Sequence, residues 1–423
     1  MSFIEFCMAI NKFQFRMQIF TQEELTAAKN HKYSGTDDSL MVRFCFKYIW
    51  NWMVEKFPMW LAPNVITLTG FLFEVVSFCL SFHYSSFMKV ALPDWLCIVD
   101  GACLLIYQTL DNLDGKQARR TGSSSSLGQF FDHGCDAITG CLELMKASMV
   151  FEYHASTKTF VFVSCMGIGF LLTTWEEFCT HKFYLGYLNG PDEGLFLLGL
   201  AQISCGIKIR MKNFYSWNFF NYAFIIGFVF TLLLIFYDVF KEIWNEPSKI
   251  KQGLLAILPC FITFGLFLAN AISMKFFNMS PYFIMLCGLV LQYGGQMIIV
   301  AILTGKSALS LFSAIQVIEW ILIAVPLLPE IVFSEQYWMI LFYAHLALML
   351  ITDINVVYSL STGLGIPIFT IKHREQSLPS EQMEIVNIEE DEGSFAADAD
   401  PEQVDDKVTQ DPEQHDEKPA ESL

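Results

Sequence analysis

Between residues 64 and 360 the chain runs as a series of apolar stretches separated by short polar ones. Most are near the ~20 residues a helix needs to cross a bilayer. One soluble core cannot bury that many stretches. Helices in lipid can, because each satisfies its own backbone, so the expected fold is all-α and polytopic. The spacing predicts about ten transmembrane helices, at 64–83, 92–113, 128–150, 159–176, 193–207, 217–237, 252–273, 281–303, 309–328 and 337–360. Charged residues make up 16% of the chain, against about 25% in soluble domains.

Charge divides the chain further. Lys29, Lys32, Arg43, Lys47 and Lys56 make the first 62 residues basic. Lys116, Arg119 and Arg120 follow the second span, and Lys372 and Arg374 follow the tenth. Positive loops stay in the cytosol, and an even number of spans puts all three segments there. Lys208, Arg210 and Lys212 run against that orientation, and the fifth span is short. The net charge is −17, and residues 375–423 hold 17 acids against Lys407 and Lys418. That tail has too few apolar residues to offset its ordering entropy, so it is expected to be disordered. The 12 cysteines form no CxxC pair and no metal-type spacing, and behave as small hydrophobes. The first 20 residues lack a signal-peptide cleavage site and suit an interfacial helix. The expected organisation is a cytosolic segment over 1–62, catalytic helices over 63–215, additional spans over 216–362 and an acidic cytosolic tail over 363–423.

The chemistry concentrates in DNLDGKQARRTGSSSSLGQFFDHGCD, residues 111–136. Asp111 and Asp114 are three apart at the end of the second span, and Asp132 and Asp136 four apart at the start of the third. Residues three or four apart share a helix face, so each helix can turn a carboxylate pair to a common space. Carboxylates suit hard divalent cations such as Mg²⁺ or Mn²⁺. Four of them together would repel one another without metal. Acids near a membrane are costly and are functional candidates by default. Between the pairs, Gly115 allows close backbone approach, Arg119 can fork onto phosphate oxygens, and Lys116 and Arg120 add positive charge. These parts describe metal-assisted phosphoryl transfer at the cytosolic ends of helices 2 and 3.

Asp111, Asp114, Gly115, Ala118, Arg119, Gly128, Asp132 and Asp136 fit the pattern D-x2-D-G-x2-A-R-x8-G-x3-D-x3-D. That is the signature of the CDP-alcohol phosphotransferases, which the chain resembles. HKYSGTDDSL (31–40), LAPNVITLTGF (61–71) and WEEFCTHKFYLGYLNGPDEG (175–194) are similar to the eukaryotic choline/ethanolamine phosphotransferases, although His181 stands where that branch often has glycine. The resemblance implies transfer of phosphocholine or phosphoethanolamine from CDP-choline or CDP-ethanolamine to diacylglycerol, with release of CMP. It implies a pair of Mg²⁺ or Mn²⁺ ions on Asp111, Asp114, Asp132 and Asp136, and a nucleotide lined by Gly115, Ala118 and Arg119, with Asn64 and Lys116 as further members. A homodimer in the endoplasmic reticulum or Golgi membrane is implied too. No nucleic-acid partner is expected.

The acceptor hydroxyl needs a general base. Asp136 is one candidate, weakened by its hold on metal. His133, about 60° away around the helix, is the other, with an ordinary pKa near 6.5. For the head group, Trp175, Glu176, Glu177 and Tyr184 offer aromatic faces and acid to a quaternary ammonium, or are interfacial aromatics. Another acceptor, such as inositol or a sphingolipid, stays open within the family. A transporter would place polar residues near mid-membrane on several helices, whereas the strong cluster here lies at one helix-end region.

Overall fold

A computed structural model describes residues 19–207, 218–244, 246–274, 279–307, 313–328 and 334–371. The chain divides after Lys372. The acidic tail, the first 18 residues and the segment with Lys208, Arg210 and Lys212 lie outside the described residues.

A capping box opens the first helix, α1 (Gln22–Asn30): Thr21 and Glu24 satisfy each other's backbone N–H. Strand β1 (Gly35–Asp37) and a π-helical turn (Val42–Phe46) lead into α2 (Lys47–Val54). Phe44, Tyr48 and Trp52 are exposed there, while Phe46, Trp50 and Val54 pack inward, the two-faced pattern of an interfacial helix. The bundle follows: α3 (Pro63–Tyr84), α4 (Asp94–Arg120), α5 (Ser126–Val150), α6 (Thr157–Thr180), α7 (Leu195–Gly206), α8 (Asn218–Ile243), α9 (Pro247–Ser273), α10 (Pro281–Thr304), α11 (Ala314–Ala324) and α12 (Glu335–Leu364). Strand β2 (Phe183–Leu185) and a π-helical turn (Gly190–Gly194) link α6 to α7.

A helix stands at each of the ten places where an apolar run occurs. Among the described residues seven of them, α3, α4, α6, α8, α9, α10 and α12, are long and apolar enough to cross a membrane. Two others, α7 and α11, have only 12 and 11 residues. The remaining one, α5, is 25 residues long but carries Asp132, Asp136, Glu143 and Lys146. It tolerates them because most of its side chains are buried among neighbouring helices. Short α7 docks closely on α4: a Cβ at Gly101 would lie 2.4 Å from the Gly199 carbonyl, so only small residues allow this approach.

One expectation about the bundle is overturned. The second apolar run continues as helix through Arg120, so Gly115, Lys116 and Arg119 stand on α4 and not in a loop. Lys and Arg propagate a helix well and suit its C-terminal dipole. The turn falls instead at Thr121–Gly122, where Gly122 has a φ of +62°.

Polar side chains also run deep into the bundle. Lys146 on α5, fully buried, meets Glu74 of α3 at 2.6 Å and Glu143 of its own helix at 2.8 Å. It donates to the Ser77 hydroxyl at 3.0 Å. Beside it Ser81 donates to Asp100 of α4 at 2.6 Å, and Gln202 of α7 donates to Glu143. Acids and a lysine from three helices, with an amide from a fourth, therefore meet inside the bundle, where the sequence had suggested one cluster at a helix end.

Candidate active site

Helix periodicity turns Asp111 and Asp114 of α4 toward Asp132 of α5, and their carboxylate oxygens lie within 4.8 Å of one another. The fourth aspartate, Asp136, lies against Asp111 and accepts a hydrogen bond from the Tyr107 hydroxyl of α4. Asp114 accepts from the Thr67 hydroxyl of α3. The Oδ1 atoms of Asp111 and Asp132 are buried with no hydrogen-bond partner. Carboxylates this close, with oxygens desolvated and unshared, demand positive charge. An all-oxygen donor set of this kind fits a hard divalent cation.

Beside these acids the face of α4 is open at Gly115. A Cβ added at Gly115 would meet only the Arg119 guanidinium, at 3.5 Å and beyond. Arg119 itself is exposed. The two neighbouring cations are engaged elsewhere. Lys116 donates to Asn51 at 2.8 Å, and Arg120 donates to the carbonyls of Val54 and Phe57 at 3.0 and 2.7 Å, pinning α2 to the end of α4. Asn64, at the start of α3, is buried and donates to the Ile368 carbonyl at 2.8 Å. Ala118 is half-buried on α4, two turns of chain from Asp111.

His133 is buried at the start of α5, and its Nδ1 has no partner. Its ring lies 5.9 Å from that of Phe183, which in turn lies 6.1 Å from Tyr33. These rings reach the site because β1 pairs in parallel with β2, Gly35 opposite Phe183. Burial and the charges of Glu177 and Asp132 push the Tyr33 phenol well above its ordinary range.

The four residues considered for a head group separate. Glu177 faces His133 and His31 electrostatically. Its Oε1 accepts from Gln129 at 3.3 Å, and its Oε2 is buried without a partner. Trp175 turns the other way: its indole donates to the Gly253 carbonyl of α9 at 2.8 Å and packs on Phe236 of α8. Glu176 lies toward Asp238 of α8. Tyr184 is exposed and donates to Asp38 at 3.0 Å. The aromatic residue that feels the charge of Glu177 is thus Tyr33, and Phe183 joins Tyr33 to His133. In the sequence the two segments, around Gly35 and Phe183, stand far apart and neither alternates in hydrophobicity, so nothing local announces the pairing.

His181 also finds its explanation. It caps α6 with a φ of +57°, a left-handed position that glycine adopts without strain.

Beyond β2, Glu193 accepts from the Ser39 hydroxyl at 2.6 Å and from the N–H groups of Met41 and Asn189 at 2.9 and 3.0 Å. Burial raises its carboxyl, but those hydrogen bonds outweigh it and hold it below the ordinary value. Its neighbour Asp192, buried and near Asp37, is pushed up to about 7.

Residues 60–186 match the family model described as CDP-alcohol phosphatidyltransferase. Choline/ethanolaminephosphotransferase 2 of Arabidopsis thaliana is 42% identical over 182 residues, 43% of this chain and 45% of its own. CDP-diacylglycerol–serine O-phosphatidyltransferase of Encephalitozoon cuniculi is 36% identical over 200 residues, 47% of this chain and 52% of its own. The chain thus spans about half the length of these curated relatives. Uncharacterized CDP-alcohol phosphatidyltransferase class-I family protein 1 of Dictyostelium discoideum is 29% identical over 395 residues, 87% of this chain and 99% of its own.

Proposed function

We propose, from the match of residues 60–186 to the CDP-alcohol phosphatidyltransferase family model, that the chain transfers phosphocholine or phosphoethanolamine from a CDP-alcohol to diacylglycerol, releasing CMP. The observation that carries the reading is the convergence of Asp111, Asp114 and Asp132 with buried, unshared oxygens. Two Mg²⁺ or Mn²⁺ ions are the proposed cofactors, held by these residues and Asp136. When bound, such ions neutralise charge on the pyrophosphate and the departing CMP. Arg119 and the open face of Gly115 receive phosphate oxygens, and Ala118, Asn64 and Lys116 complete the nucleotide side. Asn64 must first release the Ile368 carbonyl, and Lys116 the Asn51 side chain.

For the acceptor, His133 takes the hydroxyl proton as the oxygen attacks the phosphorus next to the alcohol. The bond from that phosphorus to the CMP oxygen breaks. The unpartnered Nδ1 of His133 supports this choice over Asp136, whose oxygen is already engaged by Tyr107. Glu177, between Tyr33 and His133, supplies negative charge to an ammonium head group. We place the reaction at the cytosolic ends of α4 and α5, in a ten-span homodimer of the endoplasmic reticulum or Golgi membrane. The cytosolic placement rests on the basic segments flanking the bundle and the span count on the ten apolar runs, while the homodimer and the choice of membrane rest on the family resemblance.

The serine transferase among the relatives supports a second reading, in which CDP-diacylglycerol is the donor. The purified protein is therefore given labelled CDP-choline, CDP-ethanolamine or CDP-diacylglycerol with matching acceptors, in Mg²⁺, Mn²⁺ or EDTA. Metal-dependent phospholipid and CMP from the first two, lost in Asp132→Ala, is the expected result. Product from CDP-diacylglycerol alone would overturn the choline/ethanolamine assignment.

A further inference from the structure

Three helices carry polar residues along one face each. On α3 these are Thr67, Glu74, Ser77 and Ser81; on α4 they are Asp100, Tyr107, Asp111 and Asp114. On α5 Asp132, Asp136, Thr139, Glu143 and Lys146 recur at steps of three and four. Such steps keep a single helix face. The faces meet at both ends. Near the aspartates, Thr67 ties α3 to α4 and Tyr107 ties α4 to α5. At the other end, Ser81 ties α3 to Asp100 of α4, Lys146 ties α5 to Glu74 and Ser77 of α3, and Gln202 ties α7 to Glu143. Lys146 stands 14 positions beyond Asp132, roughly 21 Å along the helix, too far to touch a ligand there.

Stability does not account for this distant set. Lys146, Glu74 and Glu143 are completely buried, and well-packed apolar residues in place of a buried ion network are often as stable or more so. What the network does supply is rotational register. A turn of α5 about its axis would break the contacts of Lys146 with Glu74 and Ser77. The same turn would move Asp132 and Asp136 out of the space they share with α4. Metal ligands must be held within roughly 0.5 Å and 10–20° of a productive setting. The aspartates repel one another until a cation arrives, so the setting needs an anchor outside the site. Thr139, between the two ends of the α5 face, is buried with its hydroxyl unpartnered, so the column is polar between its ends but not closed by hydrogen bonds.

We propose that Lys146, with Glu74 and Glu143, is a positioning element for the metal-binding aspartates, fixing the rotational setting of α3, α4 and α5 from the opposite end of the bundle. The proposal rests on the reading of the aspartates as a metal site.

The test measures Mn²⁺ binding directly, by electron paramagnetic resonance of the free ion, with the full chain in lipid nanodiscs. The first variant, Glu74→Met with Glu143→Gln and Lys146→Met, removes the charges while keeping the volume. The second, Glu74→Gln, keeps the packing and an acceptor for Lys146. Thermal unfolding is followed in parallel. Mn²⁺ affinity should fall at least tenfold in the triple variant and at least threefold in Glu74→Gln, although the melting temperature of neither need fall. If the triple variant does not fold, Glu74→Gln decides alone. A change below threefold in folded Glu74→Gln overturns the proposal. No Mn²⁺ binding by the unsubstituted protein would refute the metal reading itself, and the proposal with it.

Discussion

At one end of the α3–α4–α5 face Asp111, Asp114 and Asp132 crowd within 4.8 Å with two buried oxygens unshared. At the other end Glu74 and Glu143 close on Lys146 at 2.6 and 2.8 Å. The same helices thus bury acids in two ways. Where a lysine is built in, the protein has brought its own counter-charge and the cluster is part of the scaffold. Where none is, the counter-charge must come from outside. Burial alone does not distinguish a site from a strut, but the presence or absence of a built-in cation does.

Substitutions should separate the two ends cleanly. Asp132→Ala should lower transferase activity about 10³-fold, the several kcal/mol that a lost metal ligand represents. The same change relieves like-charge repulsion, so the melting temperature should hold or rise. A fall in melting temperature without loss of Mn²⁺ binding would make the aspartates scaffold after all. Lys146→Met alone should lower stability as well as Mn²⁺ affinity, costing about 3–5 kcal/mol because two acids are left buried without their cation. Unfolding in denaturant measures it, and a cost under about 1 kcal/mol would break the contrast. His133→Ala should slow turnover about 10²-fold while leaving Mn²⁺ affinity alone, and activity within a few-fold of the parent would remove it as the base.

The two ends differed in how far the sequence announced them. Asp111, Asp114, Asp132 and Asp136 lie within 26 residues at steps that a helix converts directly into a shared face. Their meeting required only two adjacent helices and a short turn. Glu74, Asp100 and Gln202 come singly from three helices, and Glu143 and Lys146 together from a fourth, each looking like a stray polar residue in an apolar run. Only tertiary packing joins them, although a lysine inside a span is itself a flag. Helix α5 met the length of a span but not the apolarity, because its neighbours are protein and not lipid. Tyr33 and Phe183 escaped for another reason: the pairing of two three-residue strands leaves no periodicity to read. Trp175 and Glu177 show the limit of proximity in sequence. Two positions apart on α6, they face different neighbours, Gly253 and Phe236 for one, Gln129 and His133 for the other.

That divergence sharpens the head-group assignment. Glu177→Gln should raise KM for the CDP-alcohol about tenfold, the loss of one charge-assisted contact, with a smaller change in kcat. Trp175→Ala should leave KM within twofold and act on stability instead, since its ring fills the cluster of α6, α8 and α9. Equal KM effects from the two would send the head group elsewhere.

The most local effect concerns acids outside the bundle, where both behaviours occur side by side. Burial and the nearby Asp37 push Asp192 up to about 7, from an ordinary 3.8. Between those values the folded turn keeps its proton while the unfolded chain releases it. Stability of the turn therefore falls as pH rises across that window, by at most about 4 kcal/mol at 1.36 per unit. Glu193 opposes it: its hydrogen bonds hold the carboxyl low, so its contribution is present above the ordinary glutamate value and lost on acidification. Amide exchange protection at Asn189–Gly194, corrected for intrinsic rates, should accordingly decline from pH 4 to 7. Asp192→Asn retains an acceptor for the Asn189 amide, which now donates to Asp192 at 2.9 Å, and should flatten the profile. An unchanged slope in the variant would mean that Asp192 is ionised in the folded turn.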